Sequence, residues 1–197
     1  FASGLFCSVY EEARETRSLE SEFAAAVGAR YAVAFNSGTT AQHAALAALD
    51  IGPGDEVIVP PLTFISTAYT VLIAGAVPVF ADVDRATITI DPAQIAAQIT
   101  PRTKAIVPVH WFGLPADMPA IMELAERHGL HVIEDCAHGP GIALDGKPAG
   151  SFGRIACWSL QQTKLLTSAG EGGMATTDEP TLAARLRQVC DHGKAQG

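Results

Sequence analysis

The chain has 197 residues, 48% of them hydrophobic and 17% charged, with a net charge of −8. That length suits about one domain, and the composition excludes a disordered chain or a coiled coil. The acidic balance and the lack of any basic run argue against a nucleic-acid surface, and no stretch nears the ~18 uninterrupted apolar residues of a membrane span.

The opening Phe1-Ala2-Ser3-Gly4-Leu5-Phe6 lacks the basic start of a signal peptide, so a cytoplasmic protein is expected. Cys7, Cys136, Cys157 and Cys190 stand at wide, irregular spacings with no Cys-x-x-Cys, which fits buried reduced thiols better than disulfides or zinc ligands. His128 and His131 are separated by the helix-ending Gly129, so they would not share a face, and no metal is expected. The chain opens without Met and closes without a finishing element, and so reads as a piece of a longer protein.

Strand-like and helix-like stretches alternate, the mark of an α/β sheet. A helix is predicted from Ser18 to Val27 with Gly28 as its stop, followed by a strand from Tyr31 to Phe35. Asn36-Ser37-Gly38-Thr39 leads into an alanine-rich helix ending near Leu49, in which Ala41, Ala44, Ala45 and Ala48 form a stripe for close packing on a sheet. Gly52-Pro53-Gly54-Asp55 turns into the strand Glu56 to Val59, and another helix begins near Phe64. Strand Val77 to Phe80, helix Pro92 to Gln98 and strand Lys104 to Val109 follow. Met118 to His128 is a helix with Asp117 as N-cap, Met118, Ile121, Met122 and Ala125 on one face, and Gly129 behind it. His131 to Asp135, Arg154 to Ser159 and Gly173 to Thr177 are strands, and Asp145-Gly146-Lys147-Pro148 is a turn. Pro180 to Cys190 is a helix capped by Asp178.

Ligands of open α/β sheets bind beyond the carboxyl ends of the strands. Ser37-Gly38-Thr39, Phe64, His110, Asp135 and Lys164 each follow or finish a predicted strand, so parallel strands would gather them along one edge. Lys164 is one of four lysines, and it lies between an apolar strand and the glycine-rich Gly170-Glu171-Gly172-Gly173. A desolvated amine there is a nucleophile for a carbonyl; a plain surface lysine is the alternative. Gly38 and Thr39 offer free N–H groups at a helix start, suited to a phosphate or serving only as an ordinary cap. Asp135 ends an apolar strand, where an unpaired carboxylate is costly. It calls for a cation such as a protonated ring nitrogen or an arginine, unless it is a structural cap. Phe64 is either a plate for a flat ring or plain core, His138 either a site group or a loop histidine, and His110 receives no role. An amine, a buried aspartate, a phosphate cup joined by Ser159 and an aromatic plate together describe a pyridoxal phosphate site.

With those residues in place the chain resembles, from about Leu19 to His192, the DegT/DnrJ-type sugar and cyclitol aminotransferases, a branch of the fold type I pyridoxal phosphate enzymes. The resemblance is carried by Asn36-Ser37-Gly38-Thr39, Gly52-Pro53-Gly54-Asp55-Glu56-Val57-Ile58-Val59-Pro60, Thr63-Phe64, Ile133-Glu134-Asp135, Ser159-x-x-x-x-Lys164 and Gly170-Glu171-Gly172-Gly173. It implies a three-layer α/β/α large domain with a mostly parallel sheet over residues 1–197, without the C-terminal small domain, because family members are about twice as long. It implies that Lys164 is the Schiff-base lysine and proton shuttle and Asp135 the partner of the pyridine nitrogen. Gly38, Thr39 and Ser159 would contact the phosphate, Phe64 would stack on the ring, and His138 would lie near the ring hydroxyl.

The family resemblance also implies a homodimer whose site is built from both subunits. The implied reaction moves an amino group from an amino acid, glutamate or glutamine, to a keto-sugar nucleotide or keto-cyclitol, in amino-sugar, aminocyclitol antibiotic or cell-envelope biosynthesis. The loop Thr167-Ser168-Ala169-Gly170 is one residue longer than usual, and Gln161-Gln162 replaces the commoner aromatic-proline pair. That pair is similar to members that aminate cyclitols or make aminohydroxybenzoate, so a dehydrating or aromatising enzyme, or a silent relative, stays open. Retention of Lys164 favours transamination over the sugar dehydratases, in which the resemblance implies that this lysine is replaced.

Overall fold

In the computed structural model residues 13–191, Gly193 and Lys194 are described. The opening Phe1 to Phe6 stretch and Cys7 lie outside the described residues, as does His192. The elements in chain order are α1 Arg14–Val27, β1 Tyr31–Phe35, α2 Gly38–Ala48, β2 Glu56–Val59, α3 Ser66–Ile73, β3 Val77–Phe80, α4 Pro92–Gln98 and β4 Thr103–Ile106. They continue with α5 Met118–His128, β5 His131–Asp135, β6 Ala143–Leu144, β7 Lys147–Pro148, β8 Ile155–Ser159, β9 Gly173–Thr177 and α6 Pro180–Cys190.

Seven strands form one sheet in the order β1-β9-β8-β5-β4-β2-β3. β3, β2, β4, β5 and β8 pair in parallel, whereas β9 runs antiparallel to both neighbours. Two reversals leave β1 parallel to the rest, so β9 is the exception in an otherwise parallel sheet. The carboxyl ends of β1, β8, β5, β4 and β2 therefore share one edge.

Alternation along each strand builds the layers, because successive side chains point to opposite faces. Val57 and Val59 join Val33, Ile155, Cys157 and Ala175 in a core roofed by α2, α3 and α6. Ile58, Ile106 and Val132 point the other way, against Ile95 of α4 and Met118 and Ile121 of α5. Ala32, Ala156, Trp158 and Met174 meet Phe23 and Ala24 of α1 on that same second face. The result is the expected three-layer α/β/α arrangement. In α2 the alanines 41, 44, 45 and 48 are all buried, so this helix lies close on the sheet.

Helix ends follow local chemistry. Gly28 and Gly129 terminate α1 and α5 with φ of 74° and 65°, the left-handed region that a glycine enters without strain. Asp117 accepts the Ala120 N–H at 3.3 Å as the N-cap of α5. Asp178, by contrast, does not cap α6: its Oδ1 accepts the Arg30 N–H at 2.8 Å, and the cap position is Glu179 without a side-chain bond. Pro180 at the first position gives that helix its start instead. α1 begins at Arg14, ahead of the predicted Ser18, through a polar turn with no apolar signal. β4 ends at Ile106 because Pro108 cannot donate to a ladder, although Val109 still bridges to Asp135. The predicted turn at Lys147 is part of a hairpin, with Lys147 opposite Leu144. Among the described residues no helix is long and apolar enough to cross a membrane.

Candidate active site

Asp135 finishes β5 with only 3% of its surface exposed. Its Oδ2 accepts from Gln42 Nε2 at 2.5 Å and from Thr67 Oγ1 at 3.0 Å, and its Oδ1 from the Ala137 N–H at 3.1 Å. These partners are neutral, and they come from α2, α3 and the segment after β5. A carboxylate has about four acceptor sites, so room for one more donor remains. Gln42 Oε1 is buried without a hydrogen-bond partner.

At the start of α2, Ser37 Oγ accepts the Thr40 N–H at 3.1 Å while the Ser37 N–H donates to Thr40 Oγ1 at 3.2 Å, a closed capping box. The box leaves the N–H groups of Gly38 and Thr39, which have no intrahelical acceptor. A Cβ on Gly38 would stand 3.0 Å from the Ser159 Cβ and 3.3 Å from the Trp158 carbonyl oxygen. The helix start and the end of β8 thus meet, so closely that any side chain at position 38 would require Ser159 or Trp158 to give way. A Cβ on Gly173 would lie 2.3 Å from the Ser37 carbonyl. The glycine-rich Gly170 to Gly173 stretch therefore includes a point of backbone contact with the α2 cap.

Lys164 follows β8 on a turn folded by Gln161: the Gln161 carbonyl accepts the Lys164 N–H at 2.8 Å, and Gln161 Oε1 accepts the Thr163 N–H and hydroxyl. This gives Gln161 a structural task directly beside the amine. Lys164 Nζ lies 2.9 Å from His138 Nε2. His138 Nδ1 is buried without a partner. Burial first and the Lys164 charge second hold His138 below its ordinary value, with Asp135 opposing, so the imidazole is neutral at neutral pH. The His138 ring stacks on Phe112 at 5.0 Å and tilts against Trp111 at 5.2 Å. Phe112, Gly113, His138, Thr163, Lys164 and Leu165 line a cavity of ≈490 Å³.

Phe64 is 65% exposed, so it is not core. Its carbonyl accepts the Thr67 N–H at 3.2 Å, so Phe64 belongs to the turn that delivers Thr67 to Asp135. His110 is fully buried. Its backbone N–H donates to the Asp135 carbonyl, its Nδ1 accepts the Ala116 N–H, and its Nε2 bonds Glu134 Oε2 at 3.0 Å. Glu134 also accepts the N–H groups of Gly150, Phe152 and Gly153. His110, Glu134 and Cys136 bring ligand atoms within 4.8 Å of one another, but the histidine and carboxylate lone pairs are engaged in these bonds. Burial, then the neighbouring carboxylates, raises the Cys136 and Cys157 thiols well above the ordinary range, so neither is a ready nucleophile.

Sequence reasoning missed Gln42, Thr67, Glu134 and Phe112. The signal for Gln42 was a lone amide beside the alanine stripe of α2, and for Glu134 its place in the Ile133-Glu134-Asp135 run; Thr67 and Phe112 carried no local signal.

Residues 7–197 match the DegT/DnrJ/EryC1/StrS aminotransferase family. The chain belongs to that family. It is 54% identical over 180 residues to a UDP-N-acetyl-3-dehydro-α-D-glucosamine 3-aminotransferase of Acidithiobacillus ferrooxidans, covering 91% of this chain and 49% of the relative. It is 50% identical to the GDP-perosamine synthase of Caulobacter vibrioides, covering 88% of this chain and 47% of the relative. The aminotransferase structure from Psychrobacter cryohalolentis superposes with a TM-score of 0.91 at 50% identity, over 92% of this chain and 46% of that one. The chain thus spans about half the length of the curated relatives it matches.

The DegT/DnrJ/EryC1/StrS enzymes depend on pyridoxal 5′-phosphate, and NtdA of Bacillus subtilis was solved with bound cofactor PMP at 38% identity and a TM-score of 0.82, over 88% of this chain and 39% of that one. The residues present fit that group. A buried aspartate with only neutral partners, orphaned polar atoms on Gln42 and His138, and a helix start pressed against Ser159 are the donor and acceptor set it needs.

Proposed function

We propose that this chain is the cofactor-binding large domain of a pyridoxal phosphate-dependent aminotransferase that aminates a keto-sugar nucleotide. The observation carrying this reading is the Lys164 amine, 2.9 Å from a neutral His138, on the strand edge that also holds Asp135. When bound, pyridoxal phosphate supplies a carbonyl that carries the amino group and a ring that withdraws electrons. Gly38, Thr39 and Ser159 would hold its phosphate, Asp135 would hold a proton on the ring nitrogen, and Phe64 would cover the ring. Lys164 would hold the cofactor covalently and would move a proton at the donor's α-carbon. His138 Nε2 orients the lysine amine.

In balance, the amino acid donor, glutamate or glutamine, loses its amine and leaves as a 2-oxo acid whose new oxygen comes from water. The acceptor's keto oxygen leaves as water when the amine is installed. A nucleotide-linked keto-hexose is the favoured acceptor over a keto-cyclitol, because the relatives named above act on UDP- and GDP-linked sugars by their names. Such a product serves amino-sugar biosynthesis, in the cytoplasm, where thiols such as the unbridged Cys136 and Cys157 stay reduced.

The working form is a homodimer in this reading. Phe64, Ile65, Tyr69 and Leu72 around α3 are exposed, and so is Phe80 of the edge strand β3, whose partner Val59 points to the α3 side of the sheet. A face of this kind marks a docking surface, and a second copy there would cover it beside the site. Sedimentation of the full-length protein should give twice the monomer mass.

The deciding experiment is borohydride reduction of the full-length protein with pyridoxal phosphate, followed by peptide mapping and an amino-donor half-reaction. A pyridoxyl group on Lys164 and conversion of the cofactor to its amine form are expected. A folded protein with no label at Lys164 would overturn the reading; labelling without conversion would mark a silent relative.

A further inference from the structure

Phe112 occupies a position that neither burial nor backbone preference explains. Trp111 and Leu114 exchange N–H to carbonyl bonds at 3.0 and 2.9 Å, closing a two-residue turn over Phe112 and Gly113. Both central residues have positive φ, 46° and 90°. Such turns prefer Asn-Gly or Asp-Gly, because a side chain with a large Cβ substituent is strained at the first position. The phenylalanine ring is also 77% exposed, so little hydrophobic gain offsets the strain. Strain of this kind persists where the surroundings over-determine it, and it collects at functional sites.

The surroundings do over-determine this turn. Its stem is His110, fixed by Glu134, by the Ala116 N–H and by the Asp135 carbonyl. On that stem the turn delivers the Phe112 ring onto His138, at 5.0 Å between centroids and 25° between planes. His138 in turn touches Lys164 Nζ. The ring therefore stands at the rim of the lysine cavity, which Leu165, 74% exposed, also lines. An aromatic and an aliphatic side chain, both open to solvent, flank the one amine that the proposed chemistry uses. Small-molecule sites are built in this way, apolar walls giving area and a few polar groups giving orientation.

We infer that Phe112 is a specificity-determining residue whose open surface packs on the C–H face of the acceptor's sugar ring while the keto carbon faces Lys164. The inference rests on the keto-sugar reading above and deepens it. A pyranose ring carries one face of C–H groups between polar edges, and an exposed aromatic ring is a matching apolar plate. A donor amino acid has no such face, so loss of the Phe112 ring should harm the acceptor half-reaction more than the donor half-reaction.

The test uses the full-length protein loaded with pyridoxal phosphate, in the wild type, Phe112→Gly and Phe112→Tyr. Thermal unfolding, the donor half-reaction with glutamate or glutamine, KM for UDP- and GDP-linked keto-hexoses, and calorimetric binding of the corresponding amino-sugar nucleotides are measured. Phe112→Gly relieves the positive φ, so its Tm should hold or rise, and its donor half-reaction should fall by clearly less than its acceptor half-reaction. Its acceptor KM and product Kd should rise about tenfold, and Phe112→Tyr should keep both near wild type. Unchanged acceptor KM in Phe112→Gly, or an equal loss in both half-reactions, would overturn the inference while leaving the proposed function intact. A wild type that runs the donor half-reaction but accepts no keto-hexose would remove the sugar reading and this inference together.

Discussion

Gln42 Nε2 lies 2.5 Å from Asp135 Oδ2, joining the middle of α2 to the end of β5 across 93 residues of sequence. Both side chains are buried, so each is the other's substitute for water. Gln42→Leu should keep the volume but remove the donor, costing about 1–3 kcal/mol in urea unfolding. It should also weaken retention of pyridoxal phosphate, measured by dialysis against absorbance. Unchanged stability and retention would mean that Thr67 and Ala137 alone suffice to hold Asp135.

The contact between Gly38 and Ser159 makes a second prediction. A methyl group at position 38 would meet the Ser159 Cβ at 3.0 Å and its Cα at 3.2 Å. Gly38→Ala should push the start of α2 away from β8 and raise the cofactor Kd, with a stability loss of about 1–3 kcal/mol. Ser159→Ala removes only a hydroxyl and should leave stability within about 0.5 kcal/mol. If Ser159→Ala bound the cofactor as well as the wild type, the hydroxyl would have no part in anchoring it.

Glu134 ties three segments together: β5, the His110 stem and the loop ahead of β8. Glu134→Ala would orphan three backbone N–H groups and the His110 Nε2 at once. A loss of about 3 kcal/mol or more is expected in denaturant titration. A loss under about 1 kcal/mol would show that water or neighbouring groups replace the carboxylate.

Stability should depend on acid through His138 and His131. For His138, burial and then the Lys164 charge lower the folded-state value; for His131, burial comes first, then Arg154. In the unfolded chain each takes a proton near the ordinary value of about 6.5. Between that value and the depressed folded one, the unfolded state binds more protons, so stability rises with pH across this window. The contribution is fully present above about pH 6.5 and is lost as the pH falls toward the folded value. Tm should be flat above neutrality and decline on acidification, with a shallower decline in His138→Gln. Identical slopes in the two proteins would contradict the assignment to His138.

Much of the fold could be read from the chain itself. The bounds of β1, β2, β3, α4, α5, β5, β9 and α6 coincide with those predicted, because alternation, alanine stripes and caps are local signals. Lys164 and Asp135 were legible as site candidates because an amine or a carboxylate at a strand end is chemically conspicuous. Other features had no local sign: β9 running antiparallel between β1 and β8, Asp178 bonding Arg30 instead of capping α6, and the hairpin at Lys147.

The same division holds at the site. The residue types near the strand ends were set by sequence, but their partners were chosen by tertiary structure: Gln42 for Asp135, His138 for Lys164, Glu134 for His110, Phe112 for His138. A pairing between residues far apart in the chain leaves no periodicity, since its energy exists only once the layers have packed. Local sequence therefore determined the elements and the reactive groups, and packing decided which groups could touch.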